Sequence, residues 1–170
     1  MAAFASSYIP TVASTVTRSA DVASVNTLSP WYNQTEGTLF VEANATGNVN
    51  YPGIAWLAGT GYRAIGFYYG PNATESGFEV GDVSSQVGIS LTALAKPAYN
   101  KFAGAFKAND FAASINGGAV GTDTSGTIPT VSSVIIGALY NGSYQLNGTI
   151  QRIAYYPARL TNAQLQALTS

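Results

Sequence analysis

Short apolar runs separated by turn residues recur along most of this chain, and polar and apolar positions alternate within them. The segment "EGTLFVEANA" predicts a strand near Thr38–Asn44 whose residues Leu39, Val41 and Ala43 share one face. Further strands are predicted in "YPGIAWLAGTG", "YRAIGFYYGPNATES", "SGFEVGD", "SQVGISLTAL" and "VSSVIIGAL". A succession of short strands with turn signals between them is typical of an antiparallel sandwich.

The segment "NKFAGAFKANDFAASINGG" predicts a hairpin. Phe102 and Phe106 share one face of its first strand, and "KAND" forms the tight turn into "FAASI". Asn-Gly dipeptides supply the positive φ angles of a type I′ turn. The chain has three of them after this hairpin begins: Asn116-Gly117, Asn141-Gly142 and Asn147-Gly148.

The C-terminal segment departs from the strand pattern and predicts one helix over Asn162–Leu168. Thr161 and Gln164 form a T-x-x-Q capping box, and Leu160 and Leu165 stand at the positions of a hydrophobic staple. A helix of two turns is not stable alone, so it must pack on the sheets. The predicted fold is therefore all-β, a two-sheet antiparallel sandwich with one short C-terminal helix.

Composition excludes several classes of function. The chain of 170 residues has no Cys and no His, which removes disulfides, thiolate metal sites and the commonest general base. Seven basic residues are scattered from Arg18 to Arg159 and the net charge is −1, so nucleic acid is not an expected partner. No run approaches the roughly 20 apolar residues of a membrane helix, so no membrane insertion is expected. The length favours a single domain over residues 1–170.

Two segments resemble a known family. "FKANDFAASINGGAVG" resembles a hairpin of laminin G-like and concanavalin A-like jelly rolls, and "VIIGALYNGSYQLNGTIQRIAYYPARLTNAQLQAL" is similar to their closing segment. The resemblance implies a jelly roll in which Ile150, Ile153 and Tyr155 point inward and Leu160 anchors a turn. It also implies a carbohydrate-binding or adhesion module on a larger protein.

The opening "SSYIPTVASTVTRSADV" is similar to the start of such modules in bacteriophage tail fibre and other virion proteins. This resemblance implies a host-receptor adhesion module, located on a virion or otherwise extracellular, whose partner is a cell-surface glycan. Residues 1–20 would then form an extended N-terminal edge that joins an upstream module. Where many relatives carry acids in the last strand, this chain has Gln151 and Arg152, which argues against calcium coordination there.

Catalysis is not expected. A glycosidase needs two carboxylates about 5–9 Å apart, and the chain contains no E-x-D-x-E pattern. The nearest candidates are Glu36, Glu42, Glu75, Glu79 and Asp82. No catalytic residue and no metal ligand is therefore assigned.

A cofactor is not expected either, apart from one structural calcium ion that the loops "ANDF" and "GTDTSG" have the oxygens to hold. The favoured alternative is that Asp110, Asp123 and their neighbours bond the local backbone.

Sugar binding by stacking fits this chain best, because sugars present apolar C–H faces and aromatic rings flanked by amides suit neutral ligands. "LYNGSYQLNG" is the preferred loop. Trp56 is interpreted as a core residue, because it lies among aliphatic neighbours. Trp31 follows Pro30, and the alternative to sugar binding for this residue is a packing role under a loop. The predicted ligand-binding residues are Tyr140, Asn141, Tyr144, Gln145, Tyr68, Trp31 and Tyr32.

An alternative of a different class is a structural or oligomerisation module of a fibre with no ligand of its own. A low-charge surface rich in small residues suits packing between protomers, so a homo-oligomer, and a trimer within a fibre, belongs to this alternative. The solution mass distinguishes the two, since a stable trimer favours the structural module.

Overall fold

Eleven strands and one helix make up the part of the chain that the computed structural model describes, residues 23–46, 51–71, 75–92, 94 and 98–170. The predicted N-terminal edge, residues 1–20, lies outside these ranges, and the single domain over residues 1–170 stays a prediction. The elements are β1 (Ala23–Val25), β2 (Glu36–Ala45), β3 (Gly53–Ala58), β4 (Ala64–Tyr69), β5 (Glu75–Asp82), β6 (Ser84–Thr92), β7 (Asn100–Lys107), β8 (Asp110–Ile115), β9 (Gly121–Asp123), β10 (Ser133–Ile136), β11 (Gly148–Tyr156) and α1 (Asn162–Thr169).

The strands form two sheets in which every pair is antiparallel. The six-stranded sheet has the order β1-β10-β3-β4-β5-β6, and the five-stranded sheet has the order β11-β2-β7-β8-β9. Chain neighbours pair along β3 to β6 and along β7 to β9, whereas β10 and β11 return from the end of the chain to pair with β3 and β2. The predicted two-sheet antiparallel sandwich with one short C-terminal helix is confirmed.

An apolar core fills the space between the two sheets. Leu39 and Val41 of β2 belong to it together with Phe67 of β4 and Phe102 of β7. The rings of Phe67 and Phe102 come from opposite sheets, and their centroids lie 5.5 Å apart. The predicted inward face of β2 is therefore confirmed.

The inward face of β11 is also as predicted. Ile150, Ile153 and Tyr155 are partly buried and pack against the core between the sheets. The phenol oxygen of Tyr155 accepts a hydrogen bond from the backbone N–H of Asn33 at 3.0 Å. The last strand therefore closes one edge of the sandwich and does not present Tyr155 to a ligand.

Helix α1 covers the outer face of the five-stranded sheet. The Thr161 hydroxyl accepts from the Gln164 N–H and the Gln164 side chain accepts from the Thr161 N–H, so the predicted capping box is confirmed. Leu165 is fully buried in a second apolar cluster that includes Phe40 of β2 and Ala112 of β8. Within the described ranges, no helix has the length and hydropathy needed to cross a membrane.

Only one of the three Asn-Gly dipeptides has both residues at positive φ. Asn116 and Gly117 have φ angles of 50° and 69°, as a type I′ turn requires. In Asn141-Gly142 only the glycine is left-handed, and Asn147-Gly148 leads directly into β11 with neither residue left-handed. The prediction of type I′ turns at these two dipeptides is wrong. The Asn141 side chain accepts from the Ser143 N–H and forms a different turn. The Asn147 carbonyl accepts from the Thr46 N–H, so the chain there is already paired alongside β2.

Candidate binding site on the six-stranded sheet

A row of residues crosses four strands on the outer face of the six-stranded sheet. Trp56 on β3 pairs directly with Gly66 on β4. Gly66 pairs in turn with Glu79 on β5, which pairs with Gly88 on β6. Residues that face each other on paired strands point to the same side of the sheet. A large ring and a carboxylate therefore share one surface, and each has a glycine beside it.

Three aromatic rings of this face lie against glycines of a neighbouring strand. A Cβ atom at Gly77 would lie 2.4 Å from the Tyr68 ring, and one at Gly81 would lie 2.8 Å from the Tyr62 ring. At such distances a side chain at the glycine would have to displace the ring above it. The rings in turn cover backbone that glycine leaves bare. The pairs are Trp56 with Gly66, Tyr68 with Gly77, and Tyr62 with Gly81.

These rings line a pocket of about 460 Å³. Its walls are Tyr51, Trp56, Tyr62, Tyr68, Glu79, Leu139 and Tyr140. The Tyr140 ring lies 5.7 Å from the Trp56 ring and 5.0 Å from the Tyr62 ring, measured between centroids. Tyr51 and Tyr68 form a further pair at 5.9 Å. The volume falls within the roughly 300–1,000 Å³ of small-molecule sites, and the mainly aromatic lining is typical of them.

Trp56 lies deepest in this group, with 1% of its surface exposed. Its indole Nε1 is buried and makes no hydrogen bond to any described residue. Buried donors are nearly always paired, and an exception often marks a functional site or an ordered water. Trp56 is therefore buried, as the sequence indicated, but it belongs to the pocket on the outer face and not to the core between the sheets.

Among the described residues that line the pocket, Glu79 is the one with a carboxylate. It accepts a hydrogen bond from the Tyr62 hydroxyl. Burial raises the pKa of Tyr62, and the hydrogen bond to Glu79 and its negative charge raise that pKa further. Burial followed by the charge of Glu79 also raises the pKa of Tyr68. Both phenols therefore keep their protons to a higher pH than an ordinary tyrosine. Tyr62 donates its proton to Glu79.

The fold is shared with a carbohydrate-binding module. The chain is similar to CBM40 of the Ruminococcus gnavus IT-sialidase, in a structure bound to α2,3-sialyllactose, with a TM-score of 0.67 and 18% identity. The match covers 81% of this chain and 84% of that one. At this identity the likeness establishes the fold, and it confirms the predicted β-sandwich jelly roll.

Two sialidases contain a similar fold within longer chains. The leech intramolecular trans-sialidase matches with a TM-score of 0.69 and 16% identity, over 87% of this chain and 26% of the enzyme. NanB sialidase from Streptococcus pneumoniae matches with a TM-score of 0.68 and 15% identity, over 87% of this chain and 27% of the enzyme. No family model matches this chain, and no curated protein matches it in sequence.

The predicted loop over residues 140–145 delivers one ring to the pocket, that of Tyr140. The loop packs closely on β3 because Gly53 has no side chain, since a Cβ there would lie 2.1 Å from the Ala138 backbone. Gly53 N–H also donates to the Tyr144 carbonyl at 3.0 Å. The strand under the loop therefore sets the position of Tyr140.

The other predicted residues of that loop have different surroundings. The Asn141 side chain accepts from the Ser143 N–H at 3.0 Å, and Gln145 Nε2 donates to the Gly142 carbonyl at 2.8 Å. Tyr144 is 53% exposed and lies outside the pocket lining. Asn141 and Gln145 thus bond within the loop, while Tyr144 faces solvent.

Trp31 and Tyr32 lie away from the pocket, in an aromatic cluster with Tyr155 of the five-stranded sheet. The Tyr155 ring centroid is 5.3 Å from that of Trp31 and 5.5 Å from that of Tyr32. Tyr32 and Tyr155 pack against the core, and Trp31 is 38% exposed. The seven predicted residues therefore do not converge: Tyr68 and Tyr140 line the pocket, and the other five lie elsewhere.

The sequence did not indicate Tyr51 or Tyr62 as site residues. It placed Trp56 in the core, and it gave Glu79 only as one of five acidic residues considered for catalysis and not assigned to it. The available signal was the glycines within β4 and β5, beside aromatic-rich segments: Gly66 on β4, and Gly77 and Gly81 four residues apart on β5. Glycines on one strand face leave space that a neighbouring ring fills. The signal indicates covered glycines but does not say which ring covers which.

The remaining acidic candidates are dispersed. Glu36 and Glu42 lie on β2 of the other sheet, and Asp82 forms an ion pair with Arg63 at 2.9 Å. In the predicted calcium loops, Asp123 accepts from the Ser125 N–H at 2.9 Å, and Asp110 pairs with an arginine. Over the described ranges, no three acidic side chains come together as a metal site would require.

Proposed function

We propose that this chain is a non-catalytic carbohydrate-binding module whose ligand occupies the pocket on the six-stranded sheet. The observation that carries the proposal is an open pocket whose walls are five aromatic rings and one carboxylate. Sugar rings have apolar C–H faces that stack on aromatic rings, and hydroxyls that bond to a few polar groups. The Tyr62 and Tyr68 hydroxyls and the Glu79 carboxylate supply such groups at the same surface.

The similar solved structures support the class of ligand. The CBM40 modules of the Ruminococcus gnavus IT-sialidase were solved with α2,3- and α2,6-sialyllactose. The pocket here offers the chemistry for a saccharide, with one carboxylate where a retaining or inverting glycosidase uses two. Binding without hydrolysis is the function that this arrangement serves best.

Removal of pocket rings tests the proposal. Tyr68→Ala and Tyr140→Ala should each weaken binding to a glycan-array hit about tenfold or more, because a stacked ring contributes about 1.5 kcal/mol or more. Titration calorimetry measures the loss. Tyr144→Asn is the matched control, since this tyrosine is on the same loop and outside the pocket, and Asn tolerates its φ of 48°. The control should bind within about twofold of wild type.

Three results count against the proposal. A blank across a broad array favours the structural or oligomerisation module, and a stable trimer in solution would strengthen that alternative. Loss of binding in Tyr144→Asn with retention in Tyr68→Ala would move the site to the exposed loop. Release of reducing sugar from bound oligosaccharides would make the chain an enzyme.

We also propose a biological setting for the module, the surface of a phage virion. The resemblance of the opening segment supports an adhesion module of a phage tail fibre or other virion protein that recognises a cell-surface glycan outside the cell. That segment lies outside the described residues. Competition between the purified chain and phage for host cells tests the setting, because an adhesion module should block adsorption in proportion to its occupancy of the glycan.

A further inference from the structure

The pocket is negatively charged at its polar end. Glu79 is half-buried on the central part of β5, and its carboxylate lies beside the Tyr62 hydroxyl among aromatic walls. Charges near apolar rings are screened less than charges in open water. A second negative group that enters the pocket is therefore repelled by Glu79.

The basic residues that the structure describes do not offset this charge. Three of them lie on the five-stranded sheet: Lys101 and Lys107 on β7 and Arg152 on β11. Arg159 lies in the segment that follows β11. Arg63 is closest in sequence to a pocket residue, but its guanidinium is paired with Asp82 at 2.9 Å. No described basic side chain lines the pocket. Proteins commonly bind carboxylates through Arg or Lys, because these side chains make charge-assisted hydrogen bonds to them, and the pocket lining offers neither.

Glu79 has the capacity to hold sugar hydroxyls. An ionised carboxylate offers about four lone-pair sites, and the Tyr62 hydrogen bond occupies one of them. A sugar hydroxyl that donates to a carboxylate makes a charge-assisted hydrogen bond, which is stronger than a neutral one. The group that repels an acidic sugar is thus the same group that binds an uncharged one.

From this charge distribution we infer that Glu79 determines specificity: the pocket takes an uncharged pyranose and excludes sugars that carry a carboxylate, such as sialic and uronic acids. The inference rests on the proposed function and adds the class of sugar to it. The ligand inferred for this chain differs from that of the similar modules, which were solved with sialyllactose, because sialic acid carries a carboxylate.

The test compares sugars that differ by a carboxylate. The probes are an array of neutral glycans beside the same glycans capped with sialic acid, with lactose and α2,3-sialyllactose as one pair and oligogalactosides and oligogalacturonides as another. Wild type should bind the uncharged member of the best pair at least about tenfold more tightly. Glu79→Gln should reduce this preference to below about threefold, because the amide keeps a hydrogen-bond acceptor for Tyr62 and removes the charge.

Glu42→Gln is the matched control. Glu42 is also half-buried and lies at a strand position, but on the outer face of the other sheet, so its loss should leave the preference unchanged. Thermal unfolding of each variant checks that the fold is retained.

Failure of the inference is distinguishable from failure of the proposed function. Tighter binding of the acidic member, lost in Tyr68→Ala, would keep the pocket as the glycan site and overturn the inference alone. An equal preference in wild type and Glu79→Gln would also overturn it. A blank across all neutral and acidic glycans would overturn the proposed function and the inference together.

Discussion

Gly66 and Gly88 lie on the same outer face of the six-stranded sheet, yet their surroundings differ. A Cβ atom at Gly66 would lie 2.4 Å from the Ala55 carbonyl oxygen and 2.6 Å from the Trp56 ring. At Gly88 no atom lies within 4 Å of that position. The same added methyl group therefore clashes at one site and enters solvent at the other.

We expect Gly66→Ala to lower the free energy of unfolding by about 1–3 kcal/mol, because Ala55 backbone or the Trp56 ring must move. Gly88→Ala should stay within about 0.5 kcal/mol of wild type or exceed it slightly, since Ala costs less backbone entropy than Gly in a strand. Urea unfolding at equilibrium measures both. Equal losses at the two positions would show that the Trp56 ring does not depend on Gly66.

Some residues were predictable from alternation alone. The two-residue period of a strand predicts that Tyr68 and Tyr69 face opposite sides, and Tyr69 is indeed buried in the core while Tyr68 faces the pocket. Alternation says nothing about which outward ring meets which strand. Trp56 was assigned to the core because its neighbours in sequence are apolar, whereas its neighbours across the strands, Gly66 and then Glu79, place it in the pocket.

Helix α1 illustrates how a strong local signal determines one element. The capping box predicted the start of the helix, and its length of two turns, too short to be stable alone, predicted that it packs on a sheet. Which sheet it covers depends on the outward apolar residues of β2, β7 and β8, here Phe40, Ala103 and Ala112. These residues lie far apart in sequence, so their common surface appears only once the strands are paired.

Leu165→Ala should destabilise the protein by about 2–4 kcal/mol, since the side chain is fully buried against the sheet and leaves a cavity. Gln166→Ala is the control on the same helix. Gln166 is exposed and its side chain makes one exposed hydrogen bond, to the Gly118 carbonyl, so its removal should cost below about 1 kcal/mol. Chemical denaturation followed by tryptophan fluorescence reports the difference. A Leu165→Ala variant as stable as the control would mean that the helix contributes little to the sandwich.

The register between neighbouring strands could not be predicted from the sequence. The row from Trp56 to Gly88 depends on pairing shifts between Gly53 and Ala55 and between Val80 and Gly81. Each shift changes which residues face each other by one position. The strands themselves were predictable from their periodicity, but the pocket needed the register between them.

The molecule as a whole has two outer faces with different roles. On the five-stranded sheet, α1 covers apolar residues and completes a second small core. On the six-stranded sheet the rings lie over glycines and leave an open pocket. A ligand therefore has access to the face that carries no helix.

The dependence of stability on pH is set by tyrosines in several parts of the fold. The chain lacks His and Cys, so no side chain with an ordinary pKa between about 6 and 9 is present. Burial raises the pKa of Tyr32, Tyr62 and Tyr69. The folded state therefore holds these phenol protons more tightly than the unfolded state, and the stability gained is complete below the ordinary tyrosine pKa of about 10.

Stability to urea should accordingly be level from pH 6 to 9 and fall as the pH rises above about 10, where unfolded tyrosines ionise. Urea midpoints across this range measure the trend, and tyrosinate absorbance at high pH should appear together with unfolding. A large change in the midpoint between pH 6 and 8 would contradict the expectation.

The contact between rings and glycines has an evolutionary consequence. Each ring and the glycine under it form a unit in which a single substitution is costly, because a new side chain at the glycine clashes and loss of the ring uncovers the strand. Among related sequences, the three rings and the glycines under them should therefore change slowly, each ring together with its glycine. Tyr51, Glu79 and Tyr140 carry no such constraint, since a Cβ atom at any described glycine would meet none of their side chains among its nearest atoms. Related modules that acquire new ligands should therefore differ first at these three positions.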